Sequence, residues 1–167
     1  MRVADDRSAL QRELQQERPF RSRGQESVIA LLHTADVLRR HLSRVVEPHG
    51  ITLQQYNVLR ILRGAGGAGG AGEDGLPTLS IAERMVEQTP GITRLLDRLE
   101  AKNLVARCRG ESDRRQVLCR LTSTGRTLLA QLDPDMDEAD EAGVAMLRPE
   151  DKQRLLELLT TIRAGHS

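Results

Sequence analysis

The stretch from Thr89 to Gly125 places an amphipathic helical pattern directly before a charged hairpin pattern. Its first half carries an apolar stripe with the i, i+3, i+4, i+7 spacing of a helix that buries one face: Ile92, Leu95, Leu96 and Leu99. Two strand-like runs follow at 104–109 and 116–121, joined by the mostly charged loop GESDRR. An α-helix fits the major groove of DNA, and a hairpin beside it can reach the neighbouring minor groove. The pattern therefore predicts a module that reads double-stranded DNA.

The distribution of charge along the chain agrees with this prediction, although the net charge is only +1. From Arg84 to Arg126 there are ten Lys or Arg and five Asp or Glu, so the centre is basic and the flanks together are acidic. A solvated helix surface of mixed charge would give the same composition, and the sequence leaves that alternative open. With one Phe, one Tyr and no Trp, the chain lacks the aromatic side chains on which single-strand binders stack bases.

Helical patterns on both sides of the centre predict a mainly α fold with a small β-wing. We expect an N-terminal arm at 1–24, for which the pattern allows both a short helix and disorder, and dimerisation helices at 25–50 and 122–167. The winged helix-turn-helix module should occupy 51–121, with a Gly-rich insertion at 64–75 that has the composition of a flexible linker. A phosphate-binding role for the insertion is disfavoured because it lacks the G-x-x-x-x-G-K-[ST] pattern.

Local signals predict where several helices begin and end. Four threonines are candidate N-caps: Thr52, which forms a capping-box pattern with Gln55, and Thr78, Thr89 and Thr122. Pro90 then occupies the first position of the central helix, where its missing N–H costs nothing. Asn103 suits the left-handed position that follows the end of this helix. Pro134 predicts a kink or a break in the helix that follows the hairpin.

The sequence shows no motif for catalysis and gives no reason to expect a cofactor or a metal ion. Patterns such as H-E-x-x-H and G-x-S-x-G are absent, and the four histidines lie outside the central module. No run of apolar residues is long enough to span a membrane. The first twenty residues lack the apolar core of a secretory signal. We therefore expect a cytoplasmic protein that is not an enzyme.

The ordered motifs LSIAERM, TPGITRLLDRLEAKNLV and DRRQVLCRLTSTGRTLL resemble the multiple antibiotic resistance regulator (MarR) family of bacterial transcription factors. The resemblance covers roughly Ser27 to Leu159, and its most specific part is the D-x-R at the hairpin tip followed by an apolar strand. Asn103 stands where the family usually has Gly, and the link at 64–77 is longer than is usual in the family. The resemblance implies a winged helix-turn-helix held between terminal dimerisation helices.

The first residues of a recognition helix are those that reach base edges. In this chain they are Thr89, Pro90, Gly91, Thr93 and Arg94. Arg94 is the candidate for bidentate contact with guanine, although an i, i+3 ion pair with Asp97 is an open alternative. Arg98 lies further along the same exposed side and is the candidate for a phosphate contact.

At the hairpin tip, the family resemblance implies that Arg115 enters the minor groove, that Asp113 braces it, and that Arg114 lies nearer the DNA backbone. The resemblance also implies a homodimer formed by both ends of the chain. A two-fold dimer spaces two recognition helices about one turn of DNA apart, which predicts a pseudo-palindromic operator.

The sequence leaves the regulatory signal open. The family resemblance implies a repressor relieved by a small phenolic or aromatic acid that binds between the dimer helices and the DNA-binding module. A thiol-based redox switch is an alternative, because Cys108 and Cys119 lie on paired strands and, in the simplest register, on one face of the hairpin. A winged helix can also serve purely as a protein-interaction module. Charge at both the helix and the hairpin tip favours DNA over that last alternative.

Overall fold

The computed structural model describes residues 7–65, 75–87, 91–109 and 117–166. Within these ranges the chain forms seven α-helices, one 3-10 turn at Glu47–His49 and three short β-strands. The helices are α1 Ala9–Glu13, α2 Arg23–Val46, α3 Leu53–Ala65, α4 Thr78–Arg84, α5 Ile92–Ala101, α6 Ser123–Gly143 and α7 Pro149–Ala164. The strands are β1 Leu76–Pro77, β2 Val105–Arg109 and β3 Val117–Leu121. The expected mainly helical fold with a small β-wing is confirmed.

The first compact unit, residues 1–40, contains α1 and most of α2. At the start of α1, Ser8 and Gln11 form a reciprocal capping box. The Gln11 side chain, which is buried, also donates to the carbonyl of Arg18 at 3.2 Å. A hydrogen bond of 3.2 Å joins His33 on α2 to Glu13.

The second compact unit, residues 41–167, contains the three-stranded antiparallel sheet in the order β1-β3-β2 and one continuous hydrophobic core. The hairpin prediction is confirmed, and β1 adds a third strand by pairing Leu76 with Cys119. Leucines from α3, α5 and α6 fill the core, and the largest fully buried side chains include Leu59, Leu96, Leu99, Leu129 and Leu132.

Two contacts join α6 to neighbouring elements of the core. Arg63 on α3 donates to both carboxylate oxygens of Asp133 on α6, at 2.7 and 2.9 Å. Gly125 on α6 packs directly against the start of β2, because a Cβ atom there would come within 2.3 Å of the Leu104 carbonyl oxygen. That position therefore requires a glycine for close approach of two backbones.

Three of the predicted helix ends are confirmed. Thr52 and Gln55 exchange the two capping-box hydrogen bonds at 3.1 and 3.2 Å. Thr122 caps α6 by accepting from the N–H of Gly125 at 3.0 Å. Asn103 adopts the left-handed conformation, with φ of 55°, directly after the last turn of α5. The N–H groups of Asn103 and Leu104 then bond back to Glu100 and Leu99, which completes a Schellman motif.

The cap prediction for Thr78 is wrong, and of the kink or break predicted at Pro134 the break is not observed. Pro77 is the N-cap of α4, and Thr78 is its first residue rather than its cap. The extended backbone of proline, with ψ of 146°, already supplies the non-helical entry that a cap provides. The expected break at Pro134 does not occur, because α6 continues through it to Gly143. Packing of Leu129, Leu132 and Met136 into the core offsets the lost backbone hydrogen bond.

Residues 66–74 of the predicted Gly-rich insertion lie outside the described residues, and the insertion starts later than predicted because Gly64 and Ala65 are the last residues of α3. Among the helices that are described, none combines the length and apolar character needed to cross a bilayer. In the same part of the chain, no three metal-ligating side chains cluster.

Candidate nucleic-acid interface

The helix α5 exposes the predicted reading face and buries the opposite one. Leu95, Leu96 and Leu99 are buried, as the apolar stripe predicted. Thr93, Arg94, Asp97 and Arg98 are all exposed on the other side of the helix. The two arginines are four residues apart and so follow one another along this surface. The structure therefore presents two cations and a hydroxyl together on one helix face.

The start of α5 differs from the predicted one. Gly91 has φ of 99°, in the left-handed region that favours glycine, so it precedes the helix instead of lying in its first turn. Among the described residues no side chain caps this helix start, where the Gly91 carbonyl accepts from the N–H groups of Arg94 and Leu95. The remaining N–H groups of the first turn suit an anionic partner such as a phosphate.

Arg107 on β2 connects the hairpin to α5. Its guanidinium contacts Asp97 at 2.6 Å and Glu100 at 3.2 Å, and donates to the Thr93 carbonyl at 3.3 Å. Its backbone N–H also donates to Glu100 at 3.3 Å. The hydrogen bond to Asp97 raises the pKa of the Arg107 guanidinium above its ordinary value. Arg107 thus holds the exposed face of α5 in a fixed position and neutralises its two acidic residues.

The ion pair between Arg94 and Asp97 that the sequence left open is not observed among the described residues, and the guanine contact of Arg94 stays a prediction. The carboxylate of Asp97 pairs across the fold with Arg107, and within the described residues no ion pair joins it to Arg94. Arg107 was missed by the sequence analysis, because its role depends on the register of β2 against α5. The available signal was Arg107 in the first strand-like run, preceded by two acidic residues three apart on the helix before it, Asp97 and Glu100.

Several predicted contact residues lie outside the part of the chain that the structure describes. Thr89 and Pro90 precede the first described residue of the α5 region, and Asp113, Arg114 and Arg115 belong to the wing tip between β2 and β3. The last described residue pair of the wing is Arg109 opposite Val117.

The two cysteines lie on opposite faces of the sheet, so the expectation that they share a face is wrong. In the observed register Cys108 is opposite Leu118, and Cys119 is opposite Arg107. Directly opposed residues share a face and successive residues alternate, which separates the two thiols. Cys119 is fully buried, and this burial raises its pKa. A raised pKa makes a thiol a weaker nucleophile at neutral pH.

Comparison with known proteins decides which family this architecture represents. The model of the MarR family matches residues 51–117, which contain α3, α4, α5 and β2. A solved MarR transcription factor from Planctomyces limnophilus is 32% identical to the chain, and the alignment covers 85% of this chain and 98% of that one with a TM-score of 0.62. This chain belongs to the MarR family.

Two curated relatives of this MarR-family chain are transcriptional regulators. The regulator FarR of Neisseria gonorrhoeae is 28% identical over 86% of this chain and 93% of its own length. The homoprotocatechuate degradative operon repressor of Escherichia coli is 28% identical over 78% of this chain and 83% of its own. The chain is therefore a DNA-binding transcriptional regulator and not an enzyme, as the sequence predicted.

Two more distant solved structures share the fold. The S. aureus MepR–DNA complex is 23% identical and has a TM-score of 0.72 over 83% of this chain and 96% of that one. The second is a structure of Bordetella bronchiseptica BpsR, determined for the mechanism by which 6-hydroxynicotinic acid regulates its DNA binding. It is 20% identical and has a TM-score of 0.72 over 87% of this chain and 98% of that one.

Proposed function

We propose that this MarR-family regulator is a homodimeric repressor that binds a pseudo-palindromic operator and releases it when a small aromatic acid or phenol binds. The observation that carries this proposal is the exposed face of α5 with Thr93, Arg94 and Arg98, on a helix that an ion pair joins to β2. A pre-positioned helix of this charge suits the major groove. We expect the protein to act in the cytoplasm together with its DNA.

The proposed division of work on α5 follows from position along the helix. Arg94 lies in the first turn, where recognition helices reach base edges, and we assign it a guanine contact. Thr93 beside it suits a base edge or a phosphate, and Arg98 one turn later suits a phosphate. Gly91 brings the backbone close to the DNA. Five further residues lie outside the described residues, and for them we keep the DNA contacts predicted from the sequence: Thr89, Pro90, Asp113, Arg114 and Arg115.

Exposed apolar side chains on α7 support the proposed dimer. None of the sixteen residues of this helix is buried. Leu156, Leu158 and Ile162 expose 60%, 47% and 45% of their surface. A helix that carries several leucines but buries none of them within its own chain gains stability when a second copy covers it. On α2, similarly, Val46 is the only buried residue among twenty-four.

Names of relatives support the repressor and effector parts of the proposal. One relative is named as the repressor of a homoprotocatechuate degradative operon, and the BpsR structure concerns DNA binding regulated by 6-hydroxynicotinic acid. Each of these two names associates an aromatic acid with a regulator that resembles this chain. An effector can release the operator only if it binds the DNA-incompetent arrangement more tightly.

The test begins with selection of a preferred duplex from random sequence, followed by fluorescence anisotropy against selected and random duplexes. Arg94→Ala should remove about 1–3 kcal/mol of discrimination between the two duplexes. Arg98→Ala should weaken binding to both equally and reduce the salt slope by about one. Arg154→Ala, an exposed α7 arginine paired with Glu157, is the control and should change neither. If no duplex is preferred over random DNA, the proposed function is wrong.

A further inference from the structure

Asn57 on α3 is a buried amide with an incomplete set of hydrogen bonds. Its side chain is 8% exposed, and among the described residues its Oδ1 atom has no hydrogen-bond partner. Its Nδ2 group donates to the Met85 sulfur at 3.8 Å. Because a thioether is a weak acceptor, this hydrogen bond offsets little of the free energy that burial of an amide costs. The fold therefore places a poorly satisfied N–H donor beside one sulfur atom.

Met85 lies where α4 ends. It is the C-cap residue of this helix, and its backbone is extended, with ψ of 139°. Its side chain is partly exposed and packs against the hydrophobic core. The helix α4 contacts both α3 and α5. A chemical change at the Met85 side chain therefore acts on a helix that packs beside the exposed DNA-reading residues of α5.

Exposure separates Met85 from the other methionines that the structure describes. Met146, between α6 and α7, is 96% exposed, and Met136 on α6 is 4% exposed. Met85 lies between these limits, so a small oxidant dissolved in water can reach its sulfur. Oxidation of a methionine disrupts packing only where the side chain contacts a core or an interface. Met85 combines access to solvent with such a contact and with an amide donor at its sulfur.

We propose that Met85 is a site of reversible oxidation, at which formation of methionine sulfoxide weakens DNA binding. The oxidant is a hypohalous acid such as hypochlorous acid. An S–O bond forms and the O–Cl bond breaks, chlorine leaves as chloride, and the hydroxyl proton passes to water. The sulfur is oxidised by two electrons, and the chlorine is reduced by two. Methionine sulfoxide reductases restore the thioether.

The surroundings of Met85 explain why its oxidation acts on DNA binding. A sulfoxide is polar and accepts hydrogen bonds strongly, and the Asn57 Nδ2 group lies close enough to donate to it. The oxidised side chain therefore keeps a partner at the edge of the core. The added oxygen still needs space between α3 and the end of α4, and packed interiors accommodate added atoms poorly. We expect the end of α4 to move, and α5 to shift with it.

The chain has four methionines, which allows a test resolved by site. Hypochlorous acid is added in steps, peptide mass spectrometry measures sulfoxide at each methionine, and fluorescence anisotropy measures binding to the selected duplex. Affinity should fall on the order of tenfold as Met85 is oxidised, a size typical of changes that act on a binding site through packed neighbours. Sulfoxide confined to the other methionines should leave affinity unchanged.

Two leucine variants provide the matched comparison. Met85→Leu nearly conserves the side-chain volume and removes the sulfur, so it should keep its affinity after treatment with hypochlorous acid. Met146→Leu is the control and should lose affinity as the wild type does. Equal losses in Met85→Leu and the wild type would overturn the inference. Complete loss of binding while mass spectrometry still finds Met85 unoxidised would overturn it as well.

Reductants distinguish Met85 from the two cysteines, which the same oxidant attacks. Dithiothreitol alone reduces disulfides and sulfenic acids but leaves methionine sulfoxide in place. Binding should return only when methionine sulfoxide reductases A and B are added together with dithiothreitol. Full recovery with dithiothreitol alone would assign the effect to a thiol and refute the role of Met85.

Asn57→Leu tests the amide by a measurement that does not involve DNA. The reduced variant should unfold at a higher urea concentration than the wild type, because leucine leaves no buried polar atom unpaired. After oxidation it should lose more stability than the wild type does, because the sulfoxide then has no donor. An equal loss in both proteins would refute the contact between Asn57 and the sulfoxide.

The inference requires DNA binding but neither the proposed operator nor the proposed effector. If no duplex is preferred over random DNA, the proposed function fails. The same oxidation series on a random duplex at low salt, where phosphate contacts dominate binding, then still decides for or against Met85.

Discussion

The contact between Arg107 and the recognition helix gives the sharpest prediction, which is made for Arg107→Ala. The guanidinium is 25% exposed, and its partners Asp97 and Glu100 are 53% and 42% exposed. Ion pairs with this much solvent contribute about 0.5 kcal/mol each, and the bond to the Thr93 carbonyl adds roughly 1 kcal/mol. The variant should therefore lose about 2 kcal/mol of unfolding free energy, which lowers Tm by roughly 4–8 °C for a chain of this length.

The same substitution should weaken operator binding more than the loss of one positive charge explains. Without Arg107, the carboxylates of Asp97 and Glu100 face the DNA without a counter-charge. We expect an additional loss on the order of tenfold at low salt, because juxtaposed like charges are costly until salt screens them. The matched control is Arg109→Ala, which removes an exposed arginine from the same face of the same strand.

Calorimetric melting and anisotropy titrations at two salt concentrations measure both effects. The double variant Arg107→Ala/Asp97→Asn should recover part of the affinity but none of the stability, since it removes the repulsion without restoring the contact. Equal melting temperatures and equal affinities for Arg107→Ala and Arg109→Ala would refute the role of Arg107 in holding α5.

Four further predictions concern the contact between Gly125 and Leu104, the two thiols and the dimer. Gly125→Ala should destabilise the fold by at least about 2 kcal/mol in urea unfolding, because the new Cβ meets the Leu104 carbonyl at 2.3 Å; unchanged stability would contradict the close approach. Burial raises the pKa of Cys119, so unfolding free energy should fall as pH rises above the ordinary thiol pKa, and Cys119→Ala should flatten that fall. In the native protein Cys108 should react with a thiol reagent well before Cys119; equal rates would contradict the burial. Ile162→Glu on α7 should shift light-scattering mass from dimer to monomer, and an unchanged dimer would exclude this face.

Sequence patterns that span only a few residues correctly predicted the buried face of α5 and several helix ends. The stripe from Ile92 to Leu99 identified the buried face of α5, because helical periodicity alone decides which residues share a face. Thr52 with Gln55 and the left-handed Asn103 were equally predictable, since each satisfies backbone groups only a few residues away. The two strand-like runs on either side of a charged loop likewise predicted the hairpin, and the family motifs agreed with that order of elements.

Features that depend on pairing between distant segments could not be predicted in the same way. Cys108 and Cys119 were placed on one face, and a one-residue change in register moves a side chain to the other face. The third strand, at Leu76, pairs with β3 across more than forty residues of sequence. Arg107 became part of the candidate site only through the packing of β2 beside α5. The left-handed Gly91 moved the helix start because a Thr-Pro-Gly sequence fits both a cap and a turn.

The close approach at Gly125 has a consequence for chimeric regulators made by exchanging DNA-reading modules. The α6 backbone meets the Leu104 carbonyl there with no room for a methyl group. A crossover between Leu104 and Gly125 would combine two backbones that were not selected to fit each other. A crossover that follows Gly125 keeps both surfaces of the joint from one parent. Grafts of new operator specificity onto this scaffold should therefore carry the first turn of α6 together with the wing.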